Sequence, residues 1–134
     1  MSNFRYVLAA AVSAALLSAT GPAAAQAVGM HVKVLGSIDL AGEFPAMSDY
    51  VLRLSHVTLD PGGSLAAHSH DGRPEVVYVL SGVLSESRNG GPLQDYKAGD
   101  SFITKTGITH SFLNRGTEPA VWVSAPIAKK PPAK

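Results

Sequence analysis

The chain has 134 residues, with 11 Lys+Arg against 10 Asp+Glu and a formal net charge of +1, enough for one domain and hardly for two. The near-balance leaves no basic excess for nucleic acid and no acidic excess for a polybasic partner. Cysteine is absent, which excludes disulfides, thiolate metal sites, a cysteine nucleophile and a lipid-modified N-terminal cysteine.

At the N-terminus Arg5 is the only charge before an apolar run from Val7 to Leu17. The small-residue stretches Ala23-Ala24-Ala25 and Ala25-Gln26-Ala27 then offer cleavage sites. The run is short of the roughly 20 apolar residues that cross a bilayer. Residues 1–25 are therefore expected to be a cleaved export signal, leaving a periplasmic or secreted protein with no membrane attachment.

Residues 26–127 read as a single domain without useful helical periodicity. Short apolar and β-branched runs alternate with Gly, Pro, Asn and Asp, the pattern of strands and turns. His31–Leu35 and Ile38–Leu40 are predicted as early strand pieces, and Asp49–Leu59 as the first long strand, closed by a turn at Asp60-Pro61-Gly62-Gly63. Ser64–His70 follows, then a tight turn at Asp71-Gly72, and Pro74 opens a strand running to Leu80. Val83–Arg88, Leu93–Lys97, Ser101–Thr104, Thr109–Asn114 and Ala120–Ala125 complete the set, and residues 128–134 are expected to form a disordered tail. So many short strands indicate an all-β fold, either two antiparallel sheets face to face or a small barrel.

The chemistry concentrates between Gly62 and Gly82. In a strand, residues two apart share a face, so Ala66, His68 and His70 point together, as do Glu75, Val77 and Val79, with Tyr78 opposite. Further on, His110 shares a face with Phe112 and Asn114. Three imidazoles and one carboxylate suit a divalent first-row metal and leave positions open for water or substrate. Ala66, Val77, Val79 and Phe112 are the expected cavity wall. Arg53 and His56 are expected at the surface or an interface, and Tyr50, Tyr96 and Trp122 in the core. No acid or base beyond the candidate ligands is identified, which favours chemistry that a metal can carry alone.

These residues resemble the cupin superfamily. Gly62, His68, His70, Glu75 and Gly82 stand at the spacings of its first motif, G-x5-H-x-H-x3–4-E-x6-G. Gly99, Gly107, His110 and Asn114 match its second, G-x5-P-x-G-x2-H-x3-N, with Lys105 in place of the proline. The resemblance implies a double-stranded β-helix (jelly roll) of two antiparallel sheets with a metal near one mouth. His68, His70, Glu75 and His110 would be its ligands, Lys105 a solvated turn residue, and the glycines turn positions. It implies manganese or iron first, with zinc, nickel or copper as alternatives. It also implies a homodimer. The functional expectation is a metal-dependent oxygenase acting on a small organic molecule; the alternative is a non-catalytic exported module that binds a small molecule.

Overall fold

A computed structural model describes residues 26–131. The expected export signal, residues 1–25, lies outside the described residues, as do residues 132–134. The fold is an all-β, nearly closed antiparallel barrel of the jelly-roll type. Its strands are β1 (Ala27–Asp39), β2 (Tyr50–Ser69), β3 (Glu75–Ser81), β4 (Val83–Arg88), β5 (Leu93–Lys97), β6 (Ser101–Thr104), β7 (Thr109–Leu113) and β8 (Ala120–Lys129). They are hydrogen-bonded in the order β5-β4-β7-β2-β8-β3-β6, with β1 pairing along β2.

Three elements depart from expectation. The two early strand pieces are one strand, β1, with register shifts between Val28 and Met30 and between Val34 and Gly36; Leu40 belongs instead to a 3-10 turn. The turn expected at Asp60–Gly63 is a bend inside one long β2. There the Gly62 N–H donates to the Asn114 carbonyl at 3.0 Å and the Asn114 N–H to the Gly63 carbonyl at 3.0 Å. Gly62 sits at φ +75°, and β1 tracks β2 on both sides of the bend, so the chain changes course without reversing. Ala128 and Lys129, expected in a disordered tail, extend β8 opposite Val51 and Tyr50. Lys130 is held there too, its ammonium 2.7 Å from Asp39 and its N–H on the Asp49 carbonyl.

Because β2, β8 and β3 lie side by side, their inward residues form rows. Leu59 faces Ala120, and Val57, Trp122 and Val79 are level with one another. Ser55, Ser124 and Val77 make the next row. Beyond it Glu75 is level with Pro126 and Thr104. The register Leu52↔Ile127 and Ser55↔Ser124 puts Arg53 in that last row as well. The core fills the apolar rows with Leu84, Tyr96, Phe102 and Phe112, and each buried aliphatic side chain there contributes about 1.5–3 kcal/mol. Aromatic contacts run from Tyr96 through Phe102 and Phe112 to Trp122, with ring centroids 4.4, 6.0 and 5.6 Å apart.

One turn shows how closely the barrel is closed. Gly82, between β3 and β4, has φ +70°, and a Cβ there would lie 2.3 Å from the Pro119 carbonyl oxygen. No other residue fits that position without moving the strand that carries Trp122. Asn114 ends β7 as a staple: it is buried, its amide donates to the Leu59 and Glu118 carbonyls, and its oxygen accepts from the Gly116 N–H.

Candidate metal centre

The bend in β2 and the corner after it carry His68 and His70 to the open end of the barrel, where β7 delivers His110. His68 and His110 are direct neighbours across the β2–β7 pair. His70 lies just past the end of β2, so strand parity does not place it. Its N–H donates to the Ile108 carbonyl at 2.9 Å, which pins the corner against β7. One ring nitrogen from each of the three histidines lies within 4.8 Å of the other two.

Each imidazole is oriented by an oxygen on its far side. His68 donates Nδ1–H to the Ala66 carbonyl at 3.1 Å. His70 shares Nδ1–H between the Arg73 carbonyl at 2.9 Å and the Thr104 hydroxyl oxygen at 3.0 Å. His110 donates Nδ1–H to Glu86 Oε1 at 2.5 Å. Those acceptors set the tautomers and leave every Nε2 with a lone pair facing the same point. The Nε2 atoms of His70 and His110 lie 3.2 and 3.1 Å from that of His68. Nitrogens bound to one ion at about 2.0–2.1 Å stand roughly 2.9–3.4 Å apart in octahedral or tetrahedral arrangements. Three lone pairs this close repel without a cation between them, so the donor set fits a divalent transition metal.

Electrostatics favour the same state. Burial, opposed by the hydrogen bond to Ala66 and aided by the neighbouring imidazoles and the Arg73 guanidinium, which disfavour a further positive charge, lowers the pKa of His68. Burial and His110 lower that of His70 against the pull of the Arg73 carbonyl and of Glu75. Glu75 Oε2 lies 3.5 Å from His70 Nε2, so the fourth expected ligand stands at the edge of the cluster.

Glu86 is a residue that the sequence reading missed. It is 1% exposed on β4, and besides the His110 contact it accepts from Arg88 Nε at 2.6 Å. Burial raises its pKa, but the hydrogen bonds from His110 and Arg88 together with the guanidinium charge outweigh burial and keep it below the ordinary carboxylate value. Arg88 in turn lies 5.4 Å from the Phe102 ring centroid. A signal was present: β4 alternates, so Leu84, Glu86 and Arg88 share the inward face, and a charged pair there needs a polar reason.

The His68 ring forms part of the wall of a cavity of about 260 Å³. Phe112 lines it, as expected, and its ring centroid is 4.5 Å from that of His110. Ala66 does not line it, because the register shift between Leu65 and His68 turns Leu65 inward and leaves Ala66 exposed. Val77 and Val79 lie in the core instead. Arg53, expected at the surface or an interface, lines the cavity together with Arg73, Ser55 and Ser124, so the wall is more polar than anticipated. His56 is on the outer face of β2, and Lys105 is exposed in its turn. Tyr96 is in the core, and Trp122 is both core and cavity wall.

Comparisons with known proteins agree with this architecture. Auxin-binding protein ABP19b of Prunus persica is 32% identical over 85 residues, covering 60% of this chain and 41% of that protein. A germin-like protein of Morus alba is 32% identical over 87 residues, covering 62% and 42%. The chain thus spans about two fifths of the length of these curated relatives. Among solved structures, a predicted oxalate decarboxylase from Thermotoga maritima matches with a TM-score of 0.60 at 22% identity, covering 77% of this chain and 90% of that one, a likeness of fold. The family model described as a cupin domain matches residues 55–126, just over half of the chain and every histidine of the cluster, and the chain therefore belongs to the cupin family.

Proposed function

We propose that this chain is an exported, metal-dependent cupin enzyme, an oxygenase acting on a small organic molecule. The observation that carries the reading is the convergence of three buried or half-buried imidazole Nε2 atoms on one point at the wall of a cavity large enough for a small ligand. His68, His70 and His110 would hold the metal, with Glu75 as the fourth ligand. Manganese or iron is the proposed ion; zinc, nickel and copper also suit these donors. A bound divalent ion would supply Lewis-acid chemistry at that point, and manganese or iron would add redox chemistry.

The residues around the point have separate tasks. Glu86, the Thr104 hydroxyl and the Ala66 and Arg73 carbonyls hold the three rings in orientation. Phe112 and Trp122 keep the inner wall apolar and exclude water from it. The only acidic lining residue is Glu75, and no unshared general base faces the cavity among the described residues. That shortage supports chemistry centred on the metal. It equally supports a binding module, the second reading, and the peach relative carries the name of an auxin-binding protein.

The test is elemental analysis of protein purified without added metal, followed by oxygen uptake with phenols, diketones and thiols. Stoichiometric manganese or iron with metal-dependent uptake is expected; bound metal without turnover of any substrate sinks the oxygenase and leaves the binding module. Export rests on Arg5, the apolar run to Leu17 and the small residues at Ala23–Ala25. A homodimer is proposed through the outer face of β3 and β6, where Val76 and Ile103 are each 57% exposed.

A further inference from the structure

We propose that the cavity binds a small organic carboxylate, its anionic end held by Arg53 and Arg73 and its apolar body packed against Phe112 and Trp122. The proposal deepens the metal-centre reading by naming the ligand class of the same cavity.

The described residues include four arginines, and they divide by location. Arg88 and Arg115, both outside the cavity lining, are paired with carboxylates, Glu86 at 2.6 Å and Asp95 at 2.8 Å. Arg53 and Arg73 are the two that line the cavity, and neither has a carboxylate within 4.0 Å among the described residues. Glu75, the one acid in the wall, lies instead against His70. Two guanidinium groups against one carboxylate leave the wall with a positive excess, and a metal at the histidines would add to it.

The position of Arg53 is unusual for an unpaired charge. It is partly buried on the inward face of β2, in the row next to Ser55 and Ser124. A guanidinium drawn toward a protein interior is unfavourable unless an anion meets it. Its planar fork matches a carboxylate bidentately, and the charge-assisted bonds are about twice as strong as neutral ones. Arg73 is tied to the same place by its backbone, since its carbonyl orients His70. The rest of the wall argues against a bare inorganic anion. Met30, Leu65, Phe112 and Trp122 present apolar surface that only an organic body would cover. The cavity, about 260 Å³, lies below the roughly 300–1,000 Å³ of drug-sized sites, which limits that body to about one ring or a short chain.

Trp122 is the only tryptophan of the chain and lines the cavity, so its fluorescence reports occupancy directly. Phenylacetate and its neutral analogue phenylacetamide are titrated into the full chain after incubation with manganese, by fluorescence and calorimetry. Phenylacetate is expected to bind about 10-fold or more tightly than the amide. R53Q and R73Q are each expected to weaken phenylacetate several-fold to about 10-fold, with amide affinity and metal content unchanged. Equal affinity for acid and amide in the wild-type protein, or binding of neither, overturns the proposal whether or not the variants fold. A chain that holds metal yet fails this acid–amide comparison loses only the carboxylate site. A chain that binds phenylacetate through the arginines but retains no metal loses the metal reading and keeps the carboxylate site.

Discussion

The two ends of the barrel interior are built from the same strands and differ completely in character. At the closed end, Leu59 with Ala120 and the row Val57–Trp122–Val79 form an apolar floor. Two to four residues along the same strands, Ser55 with Ser124, Arg53, Glu75 and Thr104 make a polar mouth beside the histidines. The floor is stable through burial alone and needs no partner. The mouth consists of groups that are costly to bury unless each has a hydrogen bond, a counter-charge or a ligand. Stability and function are therefore separable along the barrel axis, and substitutions at the two ends should fail in different ways.

The largest contrast is expected at the mouth. His110→Ala and His68→Ala should reduce metal content from stoichiometric to background, measured by elemental analysis, while circular dichroism still reports a folded β protein. Unchanged metal in both variants would remove the site from this end of the barrel. The floor should behave in the opposite sense. Leu59 is 0% exposed, and Leu59→Ala should cost about 2–5 kcal/mol in denaturant unfolding. Under conditions where that variant remains folded, its metal affinity should equal that of the wild type; a parallel loss would show that floor and mouth form one unit.

Glu86 lies between the two ends and sharpens the distinction. Glu86→Gln removes the charge that His110 and Arg88 share and offers His110 a donor as readily as an acceptor. Metal affinity, measured by chelator competition, should fall about 10–100-fold, as for other groups that orient metal-binding histidines. An affinity unchanged from wild type would reduce Glu86 to a structural partner of Arg88. The smallest effect belongs to the outer side of β4, where Asp95 accepts from Ser85 at 2.6 Å and pairs with Arg115. The Ser85 hydroxyl and Arg115 hold Asp95 below its ordinary value of 3.8. A lowered carboxylate pKa gives stability that is present above the unfolded pKa and is lost as pH falls through the folded one. Asp95→Asn should thus cost under about 1 kcal/mol near neutral pH, since the pair is partly solvated, and nothing once the wild-type carboxylate is protonated. An equal cost at both ends of the pH range would assign the effect to shape rather than charge.

The histidine cluster was legible because its signal is local. His68 and His70 are two apart, Glu75 follows a short turn, and His110 sits in a second glycine-marked motif. All four motif glycines, Gly62, Gly82, Gly99 and Gly107, take positive φ. Arg53 was not legible, because both faces of its strand mix apolar and polar residues and periodicity cannot choose between them. Ala66 was misplaced for a related reason. Parity assumes an unbroken strand, and the shift between Leu65 and His68 inverts it. Glu86 carries only the weak signal of sharing a face with Leu84, because a lone glutamate in a strand reads as a solvated charge until its neighbours on β7 are known.

By itself, then, the sequence determined the all-β class, most of the turns and the four metal-ligand candidates, since each follows from residue identity and short-range spacing within a strand, a turn or a motif. Only the tertiary structure decided which polar residues face inward together. The rows that set Arg53 level with Glu75, and Glu86 behind His110, join strands distant along the chain, and inter-strand register with its bulges is fixed by packing across the whole barrel.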